Sequence, residues 1–265
     1  MKYNAVTVLA AFAIACCASQ ALAKINLWPV PEGEPVSQFW SVEVNGQNAG
    51  VLTAKTADPP FEKYDYGGEY AFLSVDADEP VSFKIKEKTG ANLDSLVVRP
   101  QSLGIKPVMN DDGTFSITVD KPCQFSVEYD GRVHPLLIFV NAPEENVPSK
   151  DDADVVYYGP GVHRADKIEL HDGQTLYLAP GAIVQGGIYV SGKDVAIRGR
   201  GVLDSTPWEW RKGPTGHVVE IYKSQNVLVE GIIIRGASRW TVVPVASEDV
   251  TVRNIKLCGG RVQND

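Results

Sequence analysis

The sequence predicts an all-β chain, an antiparallel β-sandwich followed by a solenoid of stacked β-coils. Three observations carry that expectation. One phrase recurs as Lys193-Asp194-Val195-Ala196-Ile197-Arg198, Gln225-Asn226-Val227-Leu228-Val229-Glu230 and Glu248-Asp249-Val250-Thr251-Val252-Arg253. Val195 to Val227 is 32 residues and Val227 to Val250 is 23, and self-similarity at about 20–25 residues marks a solenoid. The first half shows instead short alternating runs bounded by Asn-Gly and Asp-Gly turns, without a helical period.

Within each phrase, alternation sends Val, Ile and Leu to one side and Arg, Glu and Lys to the other. A second apolar pair follows at equal offset, Ile232 and Ile234 after Val227, Ile255 and Leu257 after Val250. A weaker copy places Leu176 and Leu178 where Val195 and Ile197 stand, with Ile183 matching Val202. No single coil buries such a row alone, so the rows must stack. Arg200 is the misfit, since it falls where later coils carry Ile232 and Ile255.

In chain order, residues 1–23 read as a secretory signal peptide. Lys2 supplies the positive start, Val6 to Cys17 the apolar stretch, and Ala21-Leu22-Ala23 the small-residue cleavage site. The run is too short to span a bilayer, so a secreted or periplasmic location is expected. A lipoprotein signal through Ala13-Ile14-Ala15-Cys16 fits less well, because Ala13 is not a bulky aliphatic residue.

Residues 24–142 are assigned to the sandwich. Runs such as Phe39-Trp40-Ser41-Val42-Glu43-Val44 and Val81-Ser82-Phe83-Lys84-Ile85-Lys86 alternate, and Leu136-Leu137-Ile138-Phe139-Val140 closes the set. Trp28, Trp40 and the Tyr64 to Tyr70 stretch suit either a sandwich core or a sugar-stacking surface. Residues 143–154, polar with two prolines, read as a linker, and the coils occupy 155–265. The longer of the two repeat intervals carries an excess in Ser205 to Gly216, which holds Trp208-Glu209-Trp210-Arg211. That loop either presents its indoles to a sugar or packs them back onto the coil.

The chain has 265 residues, 44% hydrophobic and 22% charged, with a formal charge of −8. That sign argues against a nucleic-acid partner. A neutral polymer stays open, as does an anionic one if Arg and Lys gather locally. Cys123 and Cys258, the cysteines left after the leader, make no disulfide framework and no metal cluster and read as small buried residues. No cofactor is expected. His163, His171 and His217 are scattered, without partners at catalytic spacing.

The coil residues resemble a known family. Gly199-Arg200-Gly201-Val202-Leu203-Asp204 with Trp208 and Trp210 is similar to the Gly-x-Gly-x-(Ile/Leu)-Asp … Trp-Trp segment of polygalacturonase-like enzymes of glycoside hydrolase family 28. Ser238-Arg239-Trp240-Thr241-Val242-Val243-Pro244, then Ser247 to Asn254, resembles that family's Ser-Pro-Phe-Trp-x-(Ile/Val)-x-Pro … Asn-Val-Thr-Ile-Arg-Asn coil, with Arg239 replacing an aromatic residue. Tyr157 to Val162 with Leu176 to Gly186 looks like the first coils of these bacterial proteins. A sandwich ahead of the coils is instead similar to the dextranase-like enzymes of family 49. The resemblance implies a right-handed parallel β-helix of the pectin-lyase-like superfamily and inverting hydrolysis of a polysaccharide or oligosaccharide by paired Asp residues.

In family 28 the next element is Asn-x-Asp-Gly-(Ile/Phe)-Asp, whose first Asp is catalytic. Asp265 is that acid if Gln263 stands for the Asn, and its neighbour if Asn264 does. Later family elements do not appear, and three or four uncapped coils leave an open edge, so the chain is expected to be the N-terminal part of a longer protein. Arg239, Trp240, Trp208 and Trp210 are the sugar-contact candidates, although Trp240 also suits packing between coils. Two rivals remain: a β-helical lyase that eliminates from a uronic acid with Ca²⁺, and a non-catalytic glycan-binding or adhesion protein. A galacturonan site predicts clustered Lys and Arg, a dextran site a more aromatic cleft.

Overall fold

A computed structural model describes residues 25–55, 68–131, 133–259 and 261. The leader expected at 1–23 and the candidate Asp265 lie outside the described residues. Among these, helix is limited to one 3-10 turn at Gln101–Leu103, and no helix is long and apolar enough to cross a membrane.

The first part comprises β1 (Ile25–Asn26), β2 (Trp40–Val44), β3 (Gln47–Ala49), β4 (Leu52–Lys55), β5 (Glu69–Ala77) and β6 (Val81–Glu87). It continues with β7 (Val97–Arg99), β8 (Val108–Met109), β9 (Phe115–Val119), β10 (Cys123–Glu128) and β11 (Leu136–Asn141). One sheet runs β3-β2-β6-β9-β8, the other β1-β5-β11-β10-β7 with β4 also on β5. Along β6 the period of two holds strictly, with Val81, Phe83 and Ile85 buried and Ser82, Lys84 and Lys86 exposed. Trp40 belongs to the core, 2% exposed, and its indole N–H donates to the His134 carbonyl at 2.8 Å. Cys123 is only partly buried, contrary to the expectation of a buried thiol; Cys258 is buried, and both are free.

One pairing departs from the antiparallel expectation. β11 runs parallel to β5, with Leu136 opposite Ala71 and Asn141 opposite Asp76. Both strands are buried on both faces over most of their length, which is the setting that parallel strands require. The unbroken run Leu-Leu-Ile-Phe-Val is the sequence trace of that double burial.

The second part comprises β12 (Val155–Tyr158), β13 (Gly161–Leu170), β14 (Thr175–Leu178), β15 (Ala182–Val190), β16 (Lys193–Gly199) and β17 (Val202–Asp204). Then come β18 (Val219–Tyr222), β19 (Gln225–Glu230), β20 (Ile233–Arg235), β21 (Val242–Val245), β22 (Glu248–Arg253) and β23 (Lys256–Cys258). The strands stack as parallel sheets of a right-handed β-helix. One sheet is β12-β14-β16-β19-β22; the other is β21-β18-β15-β17-β20-β23, with β13 on β15. Five rungs therefore lie in the first of these sheets, more than the three or four coils expected. Strand β15 bends and serves two neighbours, pairing Ile183–Gln185 with β17 and Ile188–Val190 with β18. Glycine is required at the bend: a Cβ on Gly186 would lie 2.7 Å from the Asp166 carbonyl oxygen.

The repeated phrase has a backbone cause. Asp194, Asn226 and Asp249 all adopt left-handed φ, at 58°, 53° and 54°, a conformation that Asn and Asp tolerate far better than other side chains. Each turns the chain into its rung, and Asn226 donates its amide to Asp194 one coil away at 2.6 Å. The register follows: Val195 pairs with Val227 and Val227 with Val250, as the spacing predicts, and Ile183 pairs with Val202. The weaker copy is displaced, since Leu176 pairs with Ile197 rather than Val195. A shift of two keeps Leu176 and Leu178 on the inner face, where both are fully buried.

Arg200 sits at a corner one residue longer than its successors. Val202, seven beyond Val195, pairs with Ile233, six beyond Val227. The amides of Arg200 and Gly201 both donate to the Leu178 carbonyl, at 3.0 and 2.9 Å. The side chain leaves the coil for the sandwich, where it meets Asp76 and donates to the Ala142 carbonyl at 3.0 Å. Around it, Ala54, Phe72 and Phe139 of the sandwich pack against Ile183, Val202, Ile233 and Cys258 of the coils.

Candidate functional site

Two successive loops rise from neighbouring rungs, 205–218 between β17 and β18 and 236–241 between β20 and β21. Their base is the buried pair Asp204 and Arg235, where Nε and Nη2 donate to the two carboxylate oxygens at 3.0 and 2.8 Å. Burial works against the Arg235 charge, but Asp204 and Glu34 outweigh it and raise its pKa. Asp204 Oδ1 also accepts from the Thr206 amide and hydroxyl, at 3.1 and 2.6 Å. This fixes the first residues of the longer loop.

Ser238 then ties the two loops together. Its amide donates to Ser205 Oγ at 3.2 Å, its hydroxyl to the Lys212 carbonyl at 2.7 Å, and its carbonyl accepts the Arg211 amide at 2.7 Å. Arg261 closes the loop from the next rung by donating to the carbonyls of Thr206 and Trp208, at 3.0 and 2.8 Å. Backbone held by this many bonds is preorganised for binding.

Between the loops lies a pocket of about 210 Å³ lined by Arg211, Gly216, His217, Arg239 and Trp240. The Trp240 indole is 51% exposed and stacks on the His217 ring, with centroids 5.4 Å apart and planes within 8°. Arg239 donates to the Gly216 carbonyl at 3.1 Å, while its Nε is buried without a hydrogen-bond partner. The Arg211 guanidinium lies over the Trp210 ring at 4.4 Å, within reach of a cation–π contact. Glu220, on β18, packs its carboxylate against Gly216 so closely that a Cβ there would lie 2.5 Å from an oxygen. The arrangement offers an exposed ring face beside fixed hydrogen-bond donors.

Of the sequence candidates, the fold brings Arg239 and Trp240 together. Trp208 and Trp210 are half-buried in the loop and do not line the pocket; Trp210 bears on it only through Arg211. The reading of His163, His171 and His217 as scattered, without partners at catalytic spacing, did not anticipate the stack of His217 on Trp240. The signal was present, because His217 and Trp240 are 23 residues apart, the interval that separates Val227 from Val250. Arg211 was missed because the longer loop breaks that interval. Among the described residues no three His, Cys, Asp or Glu side chains come together as a metal-binding group.

No known protein-family profile matches the chain, and no curated protein matches its sequence. Solved structures that match it include the following. Dex49A from Penicillium minioluteum superposes with a TM-score of 0.74 at 17% identity, over 90% of this chain and 63% of that one. The family 28 exopolygalacturonase of Yersinia enterocolitica gives a TM-score of 0.35 at 10% identity, over 89% of this chain and 57% of that one, too low to carry weight. The chain thus spans under two thirds of the length of Dex49A, and with nine-tenths of it aligned both parts fall within the match. The likeness is one of fold, a parallel β-helix preceded by a β-sandwich; the coil repeat predicts the helix and the alternating runs before it predict the sandwich.

Proposed function

We propose that the protein is a secreted, polysaccharide-degrading glycoside hydrolase that binds its glycan between the two loops that lead into β18 and β21. The observation that supports this reading is the Trp240 indole, half exposed and braced by His217 between two arginine-bearing loops. Rings held in this way stack on pyranose faces, and rigid loops keep the entropic cost of binding low. The fold shared with Dex49A, a family 49 dextranase, is compatible with the same substrate class.

Hydrolysis with inversion needs a carboxylic acid and a carboxylate roughly 6.5–9.5 Å apart, leaving room for the attacking water. Neighbouring rungs repeat about every 4.8 Å, so outward carboxylates one or two rungs apart approach that gap. Asp265 is the sequence candidate for one of them, and the pocket at Trp240 serves to position sugar toward the following rung.

The test is to incubate the protein as it is secreted with dextran and with polygalacturonate. New reducing ends that vanish in Trp240→Ala are the expected result. An unsaturated product absorbing in the ultraviolet and lost on chelation would replace the hydrolase with a lyase. Tight binding without product would replace it with a glycan-binding protein.

A further inference from the structure

Each pocket loop starts one residue beyond a member of the same buried ion pair. Loop 205–218 follows Asp204 at the end of β17, and loop 236–241 follows Arg235 at the end of β20. A third side chain reaches this pair from the sandwich. Glu34 Oε2 accepts from Arg235 Nη1 at 2.8 Å across 201 residues of chain, and both side chains are less than a tenth exposed. We propose that Glu34 is a positioning residue of the Trp240 pocket: by holding Arg235, and through it Asp204, it places the loops that carry His217 and Trp240. The inference rests on the glycan reading only for what the pocket binds; the placement itself is measurable with no ligand present.

The backbone presents Glu34 stiffly. Pro31-Glu32-Gly33-Glu34 is a tight turn, closed by the Glu34 amide donating to the Pro31 carbonyl at 3.2 Å. Its third position has φ 84°, a conformation that calls for the glycine found there. Pro35 then restricts the backbone of Glu34 itself.

From Glu34 inward the bonds leave little slack. Arg235 commits Nη1 to Glu34, and Nε and Nη2 to the two oxygens of Asp204 at 3.0 and 2.8 Å. A planar guanidinium gripped from two sides cannot turn without breaking a charge-assisted bond. The other acceptor at Nη1, the Thr53 carbonyl, is 3.4 Å away, so Glu34 is the closer tie. Asp204 passes the orientation on through Oδ1 to the amide and hydroxyl of Thr206. The Ser205 amide donates to the Arg235 carbonyl at 2.9 Å, and a Cβ on Gly236 would lie 2.6 Å from Thr206 Oγ1, so the two loop starts pack directly on each other. Without the Glu34 carboxylate, Nη1 loses its charged partner in a buried site. Arg235 is then expected to turn and carry Asp204 and Thr206 with it.

The experiment reads the stack of His217 on Trp240. The chain has four histidines, so His217→Gln assigns the ring C–H resonances of His217 in the NMR spectrum of the full protein. The Trp240 indole lies within 8° of parallel to that ring and shifts its protons upfield; Trp240→Ala marks the unstacked position. Glu34→Ala is expected to move these resonances toward that position, and Glu34→Gln, which keeps an acceptor, to hold them near wild type. Asp76→Asn, which breaks the buried pair with Arg200, is expected to lower the melting temperature and leave them in place. In hydrolysis of dextran and polygalacturonate, Glu34→Ala is expected to raise KM about tenfold with a smaller change in kcat. Should Glu34→Ala not fold, Glu34→Asp, shorter by one methylene, takes its place. Unchanged His217 resonances in the folded variant, or an equal displacement in Asp76→Asn, would overturn the relay. Displaced resonances with an unaltered KM would uphold the relay and overturn the pocket as the glycan site.

Discussion

The Arg200 guanidinium donates to the Asp76 carboxylate at 3.0 Å across 124 residues of chain, and both side chains are less than a tenth exposed. The residue that disrupts the coil repeat is one of those that join the coils to the sandwich, as Arg235 does through Glu34. Burial pushes the Asp76 carboxyl above the usual range while Arg200 pulls it back. Removing one partner leaves a buried charge unpaired, so Asp76→Asn is expected to destabilise the protein by about 3–5 kcal/mol. Replacing the pair with Leu and Met should recover most of that loss. Urea titrations of the single and double variants decide it; an Asp76→Asn protein as stable as wild type would refute the anchor.

Lys256 predicts a pH dependence. It occupies the row of Val202 and Ile233, is 2% exposed, and donates only to the Gly231 carbonyl, at 3.1 Å, among the bonds described. Burial, reinforced by Arg200, lowers its pKa from 10.5 to about 7. Between those values the unfolded chain holds a proton that the folded protein has released, so stability is expected to climb as pH rises from about 7 toward 10.5. Below pH 7 both states are protonated and the contribution is flat. Lys256→Met should flatten the climb and stabilise the protein at pH 6 by about 1–4 kcal/mol, as read by thermal melts across that range.

Ala246 sits at φ 48° without glycine's freedom or an Asx side chain, at the turn that Lys223 makes one coil earlier. A left-handed alanine costs on the order of 1 kcal/mol. Ala246→Asn is expected to raise stability by up to about that amount, and a lower melting temperature would contradict the turn's assignment.

Ser238 links the two loops through its hydroxyl, which contacts Ser205 Oγ at 2.8 Å and the Lys212 carbonyl at 2.7 Å. Ser238→Ala leaves a buried carbonyl and a hydroxyl short of a partner, so a cost of about 1–3 kcal/mol is expected. Ligand binding at the pocket should weaken with it, because the Arg211 wall loses the bond to its Lys212 carbonyl and keeps only that of the Arg211 amide to the Ser238 carbonyl. Crystallographic order of loop 205–218 and titration with a trisaccharide check both halves.

Much of the fold was legible in the primary structure because both of its periods leave marks. Val195, Val227 and Val250 announce the rungs, and the Asx residue before each valine reports the left-handed turn that makes the rung possible. Other features are not periodic and escaped. The parallel pairing of β5 with β11 depends on burial of their outer face by the coils, which no local pattern in either strand specifies. Arg200 was visible as a misfit, yet its purpose lies in Asp76, far away in sequence. At the site, the coil interval of 23 contained the His217–Trp240 stack, whereas Arg211 depends on how one long loop folds. Trp208 and Trp210 drew notice for their composition, but loop packing half buries them.

Solenoids are usually springs: each coil touches only its neighbours, so pitch and twist relax freely and unfolding can spread from an end. Here Ile183, Val202, Ile233 and Cys258, one from each of four successive rungs, press on Ala54, Phe72 and Phe139 of the sandwich. The sandwich works as a splint laid along the spring. Val202 and Ile233 begin the strands whose ends launch the two pocket loops, so the splint sets the distance between the walls that hold Trp240 and Arg211. The separation of those walls cannot stretch without parting the sandwich from the coils.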